Sequence, residues 1–306
     1  MTSLRCSIDP DAPIARALAR GPALLDAVRD GVPRLSVALT RGEAVVLGSR
    51  QRAGRVVDLT ACARVGFPVL RRATTGTAAT LRGNGLVWTL ALPRVDALLP
   101  DATLRTLLNR NVRLLLSGLT RTGATAGYFG REWVAVRHCP AAVLGYDITD
   151  DGRALVEAII GWSNDLALPK EMAAPEELVL DRWRMKQPVA LGRCVGEGWS
   201  PLRVAETLVA AAAERAGVTR EEEPLATVTA REAVRDGNDP VPAGMRVGPL
   251  VSVPIGYVEA AQGEGGRWYG GDALASNAWL DARGRGDPND GPLEGAQWED
   301  FEAALG

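Results

Sequence analysis

The reading of this chain turns on GFPVLRRATTGTAATLRGNGLVWTLALP, residues 66–93. A short apolar run (67–70) enters a double arginine, Arg71-Arg72. A loop of small residues follows, then Arg82-Gly83-Asn84, and a second apolar run (86–92) stops at Pro93. Two β-like runs joined by Thr, Ala and Gly predict a strand–loop–strand unit. Small side chains let a ligand approach the backbone, and paired guanidinium groups beside such a loop suit a carboxylate or phosphate. A long hairpin with a solvated arginine pair is the plainer alternative for the same residues.

Outward from that loop, composition narrows the classes. The chain has 306 residues, 46% hydrophobic and 24% charged, with a formal net charge of -2. That is enough for one large domain, or one domain with an appendage. No apolar run approaches the ~20 residues of a membrane helix, and the N-terminus lacks a basic region followed by an apolar one; a cytoplasmic protein is expected. Cys6, Cys62, Cys139 and Cys194 are far apart and form no CxxC pair, which argues against a zinc site or a disulfide framework. His138 is the one histidine, so a Ser-His-Asp triad has almost no material. The only lysines are Lys170 and Lys186. Residues 220–306 carry 7 arginines against 16 Asp and Glu, so an acidic tail follows a mildly basic body.

Along the chain, residues 13–28 are expected to form a helix broken or kinked at Gly21-Pro22. Residues 34–40 and 44–47 form two strands about a turn, and 59–65 a short helix carrying Cys62 as a core cysteine. Residues 101–119 form a helix capped by Asp101. Residues 134–136 and 141–148 are strands, and β-branched Ile159 and Ile160 tilt 152–161 to a strand. Residues 201–216 form an amphipathic helix with Ser200 as N-cap, Pro201 at N1 and Gly217 at C′. One or two strands are expected in 246–258. Residues 263–292 have little core-forming material, although Trp268, Tyr269 and Trp279 need something to pack on. Asp147, Asp150 and Asp151 read as a solvated turn rather than a Mg²⁺ site, and the arginines of 101–119 lack the aromatic interleaving of a nucleic-acid surface.

The order of these elements, with the loop, is similar to a known family. Residues 13–217 resemble the catalytic domain of lipoate–protein ligases, related to octanoyltransferases and biotin–protein ligases. AVVLGSRQ (44–51) resembles the family's apolar strand ending in Gly and Gln or Asn. VDLTACARVGFPVLRR (57–72) resembles its short helix and double arginine. TTGTAATLRGN (74–84) falls on the ligand loop Ser-Gly-Gly-Gly-Ala-Val-x-His-Asp-x-Gly-Asn, one residue short, and PVALGRCVGEGWSPLRVAETLVAAAAERAG (188–217) on the closing segment. The resemblance implies an α+β domain over residues 1–219, its mixed, largely antiparallel sheet flanked by helices, and an acidic extension over 220–306. It implies an acyl or acyl-adenylate ligand, with lipoate or octanoate as the acid, ATP and Mg²⁺ if the protein is active, and a carrier domain or partner subunit. Nucleic acid and membrane are not expected. Carried over by position, the ligand-facing residues are Arg71, Arg72, Thr74, Thr75, Gly76, Thr77, Ala78, Arg82, Asn84 and His138.

The chain departs from this pattern twice. Thr75 and Thr77 stand where the family has Gly, and Leu81-Arg82 replaces its His-Asp. The essential lysine, expected near residues 130–148, falls on His138 or Cys139. Losing a preorganised charge of that kind typically costs ~10²–10³ in rate, so ordinary ligase chemistry is expected to be lost or altered. Three readings remain. The protein is an acyltransferase with Cys139 as nucleophile, a thiol that is otherwise a strand cysteine. Or it is a binding or interaction subunit. Or it activates another carboxylic acid, with Arg82 supplying the lost charge.

Overall fold

The computed structural model describes residues 3–180, 187–235, 238–287 and 291–306. Its largest sheet begins with a strand absent from the sequence reading, β1 (Ser3–Pro13), whose SLRCSIDPDAP alternates half-buried and buried residues only at its start. Helix α1 (Ile14–Ala27) then crosses to β2 (Arg34–Arg41), which pairs with β1 in parallel. A parallel pair needs such a crossover, because a tight hairpin can only return a strand antiparallel. The helix runs unbroken through Pro22. The expected break at Gly21-Pro22 is thereby corrected. Gly21 serves instead as a close-approach point, since a Cβ there would lie 2.8 Å from Glu157 Oε1.

The next segment leaves this sheet. β3 (Glu43–Leu47) is followed by helices α2 (Ala53–Val56) and α3 (Leu59–Arg64), then by β4 (Val69–Arg71) and β5 (Ala79–Arg82). β3 lies between the other two, parallel to β4 and antiparallel to β5, in a separate three-stranded sheet. β6 (Gly85–Leu92) returns to the first sheet beside β2. The opening stretch is thus three strands across two sheets, and β2 and β3, adjacent in sequence, do not pair.

Helix α4 (Leu107–Arg121) starts later than expected: a 3-10 turn (Leu104–Thr106) precedes it, and the Thr103–Thr106 hydroxyl pair, not Asp101, satisfies the entry. β7 (Ala126–Gly127), β8 (Trp133–Val136), β9 (Cys139–Ile148) and β10 (Ala154–Gly161) then complete the body. The helix Pro201–Ala216 begins on Ser200, whose side chain accepts from Arg203 N, and ends on left-handed Gly217, as its sequence dictates. β11 (Thr219–Glu222) pairs with β1, giving an eight-stranded order β11-β1-β2-β6-β10-β9-β8-β7. Within this sheet only the β11–β1 and β1–β2 pairs are parallel, so the mixed, largely antiparallel α+β class holds.

Each face of this sheet has its own core. Leu90, Leu144, Tyr146, Val156 and Ile160 pack beneath α4 and the helix Pro201–Ala216. Val143 and Ile159, on the opposite face by the two-residue period, meet Ile14 and Leu18 of α1 and Val46 and Leu81 of the small sheet. The C-terminal part is more built than its composition suggests. β12 (Arg246–Val247), β13 (Val251–Val253), β14 (Gly256–Gly263) and β15 (Gly266–Gly271) form an antiparallel sheet. Tyr269 and Phe301, both fully buried and edge-to-face at 5.6 Å, centre a core that the helices Asn277–Gly284 and Trp298–Ala303 help close. Two aromatic rings with a few aliphatic neighbours suffice where Gly lets strands approach.

Candidate functional site

The candidate site forms where strand β9, still paired with β10, runs out of strand partner on its β8 side. β8 pairs with β9 only between Cys139 and Val143. Beyond that point the carbonyls of Leu144, Tyr146 and Ile148 need other donors. Arg72 Nη2 donates to Leu144 O at 2.9 Å, Thr75 N to Tyr146 O at 3.2 Å, and Ser276 Oγ to Ile148 O at 2.5 Å. The loop between β4 and β5 therefore lies along the sheet edge, with a piece of the C-terminal unit at its end.

Gly145 makes this seating feasible. A Cβ there would lie 2.5 Å from Thr74 Oγ1, 2.6 Å from Thr75 O and 2.8 Å from Arg72 Cζ. Its strand partner across the sheet is Glu157, an acid inside the otherwise apolar strand ALVEAIIG. Glu157 Oε2 accepts from Thr74 Oγ1 at 2.6 Å. Burial pushes the Glu157 carboxyl up, against the Thr74 hydrogen bond and the nearby Arg72 charge. Arg72 is fully buried and also donates to Thr75 O and Thr77 O, both at 3.1 Å. Burial draws its guanidinium down to about 10, with Glu157 opposing the shift; it remains charged at neutral pH. A cation bonded to three carbonyls fixes the loop's shape, and its Nε and Nη1 have no protein partner.

The other expected ligand residues divide. Thr74, Thr75, Gly76, Thr77 and Ala78 are buried in the same loop, with Gly76 at φ +105° and Thr77 Oγ1 without a partner. Arg71 points away: its Nη1 donates to the carbonyls of Gly48 (2.9 Å) and Gln51 (2.6 Å), and burial lowers its pKa. Arg82 is half-buried at the end of β5, 3.8 Å from Asp165. Asn84 is exposed, and its backbone carbonyl holds Trp162 N and Ser163 N. His138 and Cys139 stand at the other end of β9. Arg137 and His138, at φ +51° and +68°, form the exposed turn into β9, and His138 stacks on exposed Phe129 at 6.4 Å. Cys139 is half-buried, and seven strand residues, roughly 23 Å, separate it from Tyr146. Lys170 sits exposed on a 3-10 turn (Lys170–Met172); Lys186 lies outside the described residues. Among the described residues no cluster of three His, Cys, Asp or Glu could hold a metal ion, and no helix is long and apolar enough to cross a membrane.

Sequence reasoning missed the residues that complete the site. Glu157 had a signal, a lone acid among apolar strand residues, whereas Tyr146 had none beyond its strand. The segment Asp272–Asn277 had neither period nor motif. Thr75 Oγ1 donates to Ala275 O at 2.6 Å and faces Ala275 N at 2.9 Å. Tyr146 Oη donates to Leu274 O at 3.3 Å and to Pro292 O at 3.1 Å. Asn277 N donates to Asp147 Oδ1 at 2.8 Å, and Asn277 Nδ2 to Ala73 O at 3.0 Å. Beside this contact, Arg55 of α2 is buried among Asp272 (2.8 Å), Glu259 and Glu177 (3.2 Å each).

The result is a two-faced, mostly antiparallel sheet that seats a small-residue loop on its half-open edge. Solved structures narrow this to the lipoate–protein ligase fold, which the chain adopts. The bi-partite lipoate protein ligase of Thermoplasma acidophilum matches with a TM-score of 0.62 and 18% identity, over 74% of this chain and 88% of that one. Lipoate-protein ligase A bound with ATP matches at 0.60 and 17%, over 74% and 90%. P. falciparum LipL1 in complex with lipoate matches at 0.65 and 13%, over 98% and 93%, so that likeness extends through the C-terminal unit. No protein-family model and no curated protein matches the sequence.

Proposed function

We propose that the chain binds an acyl or acyl-adenylate ligand at the 72–84 loop and that ordinary lipoyl-ligase turnover is lost or altered. The observation that carries this is the pairing of a retained cradle with a displaced chemistry. Arg72 and Gly76 keep a ligand-type loop on the edge of β9, while the position expected to hold a lysine falls on exposed His138 or half-buried Cys139. Neighbours described with lipoate, with ATP and with a lipoyl domain favour a medium-chain acid, a nucleotide and a carrier partner. Arg82 is the side chain best suited to a phosphate, being half-exposed and only loosely paired, whereas Arg71 and Arg72 are committed to carbonyls. In this reading residues 1–219 of a cytoplasmic protein hold the ligand and residues 220–306 act on its access.

A non-catalytic partner subunit is the second reading, favoured by the likeness to a ligase described as bi-partite. Calorimetric titration with a non-hydrolysable octanoyl-adenylate analogue, together with pyrophosphate release and carrier mass in the presence of ATP and octanoate or lipoate, separates these. Binding with little or no carrier acylation is expected. Carrier acylation at ordinary ligase rates overturns the loss of turnover, and absence of analogue binding overturns the ligand. A thioester adduct that disappears in Cys139→Ser would establish the acyltransferase route instead.

A further inference from the structure

At the centre of the contact made by Asp272–Asn277, the Leu274 side chain and the carbonyls of Leu274 and Ala275 present the chemistry of an acyl ligand to the loop. Leu274 is buried in the main core with Leu144 and Tyr146, an apolar stem set against the sheet. Its carbonyl accepts from Tyr146 Oη, and the next carbonyl, Ala275 O, accepts from Thr75 Oγ1. Gly76, whose φ of +105° leaves its face without a side chain, is covered by that same leucine: a Cβ at Gly76 would lie 2.7 Å from Leu274 Cδ2. An aliphatic stem followed by carbonyl oxygens on hydroxyl donors is what a fatty acyl chain with its carboxyl or acyl-phosphate head would offer the loop.

We propose that Ala273–Asn277 is an intramolecular occupant of the ligand-facing side of the Thr75–Gly76 loop, and that the acyl ligand binds only when this segment lifts. The proposal rests on the acyl-ligand reading above. The Arg55 ion cluster sets how tightly the segment is held. Asp272, which opens it, bonds Arg55 and the Gln51 amide through Oδ1 and Tyr257 N through Oδ2. Asn277, which closes it, is held by Ser49 Oγ and Arg50 Nε. Both anchors lie on residues 49–55, directly after β3, so the same stretch bounds the loop and clamps its occupant. A ligand competing with the segment gains only its differential affinity, so a tighter clamp weakens binding in proportion.

Ser49 Oγ and Asn277 Oδ1 are 2.8 Å apart, which singles out Ser49→Cys/Asn277→Cys as the pair to cross-link reversibly, disulfide closure being checked by thiol titration before binding is read. The probe is the octanoyl-adenylate analogue, titrated into the oxidised and reduced forms, with hydrogen exchange followed at residues 273–277. The expected result is binding to the reduced form, at least about tenfold weaker binding to the oxidised form, and faster exchange of the segment when the analogue binds the reduced form. Equal affinity in both forms, or unchanged exchange on binding, overturns the proposal and leaves the acyl-ligand reading standing. Failure to bind the reduced form, unmodified protein and Leu274→Ala alike overturns that reading, and this proposal with it.

Discussion

The two ends of strand β9 could hardly be treated more differently by the fold. At Leu144–Ile148 every second carbonyl is met by a donor from the loop or the C-terminal segment, and the groups involved are buried. At Cys139 the strand emerges from a two-residue turn whose Arg137 and His138 are exposed. One strand thus carries a rigid, fully bonded end and a turn end that contributes little to the packing around it. Rigid elements hold binding groups in place, and in this chain that rigidity sits with the loop and not with the cysteine.

Breaking the bonded end should have the largest effect. Arg72→Ala removes a buried cation from three carbonyls and leaves Glu157 without its nearby charge; a loss of about 3–5 kcal/mol is expected in urea denaturation. A change under about 1 kcal/mol would mean that the loop is not organised by this side chain. Thr75→Val keeps the shape and deletes the hydroxyl shared by Tyr146 O and Ala275, and should cost about 1–2 kcal/mol. If the segment is held mainly through this hydroxyl, protease sensitivity should rise first around residue 275.

Glu259 sharpens the contrast through pH. Burial raises its pKa above the ordinary 4.5, against the charges of Arg55 and Arg52. The folded form then keeps the proton to higher pH than the unfolded form does. Its contribution to stability is fully present below about 4.5 and declines as pH rises through the folded value. Glu259→Gln should flatten that part of the stability–pH curve, read from denaturation midpoints across weakly acidic buffers; an unchanged slope would remove the cluster from the account. At the turn end, Cys139→Ser should shift stability by no more than about 0.5 kcal/mol. A larger loss there would mean that the turn is built into the core after all.

The fold was largely legible because its strong signals are local: amphipathic period, the Ser200-Pro201 cap, and β-branched strands. Pairing was less so. β2 and β3 are separated by a single glycine yet belong to different sheets, because the hydrophobic faces of β3 find α3 and the outer core rather than β2. The loop could be located in sequence by its small residues and arginines. Its partners could not, since Thr75 and Ala275 meet through backbone groups and a hydroxyl, which leave no pattern of residue type. The core of residues 246–305 was hidden for a related reason: glycines at 263, 266, 270 and 271 dilute the composition while allowing the strands to close over Tyr269 and Phe301.

The bond between Tyr146 and Leu274 spans 128 positions of chain, and that between Thr75 and Ala275 spans 200. On a ribosome adding ~5–20 residues per second, the body can assemble while its donors and open carbonyls wait on the order of ten seconds for the segment that covers them. Throughout that interval the Ile148 carbonyl and the Thr75 and Tyr146 hydroxyls stay without the C-terminal partners they have in the finished fold. Production of this protein should therefore depend on how quickly residues 220–277 follow, and a chain stalled before residue 272 should be the aggregating species.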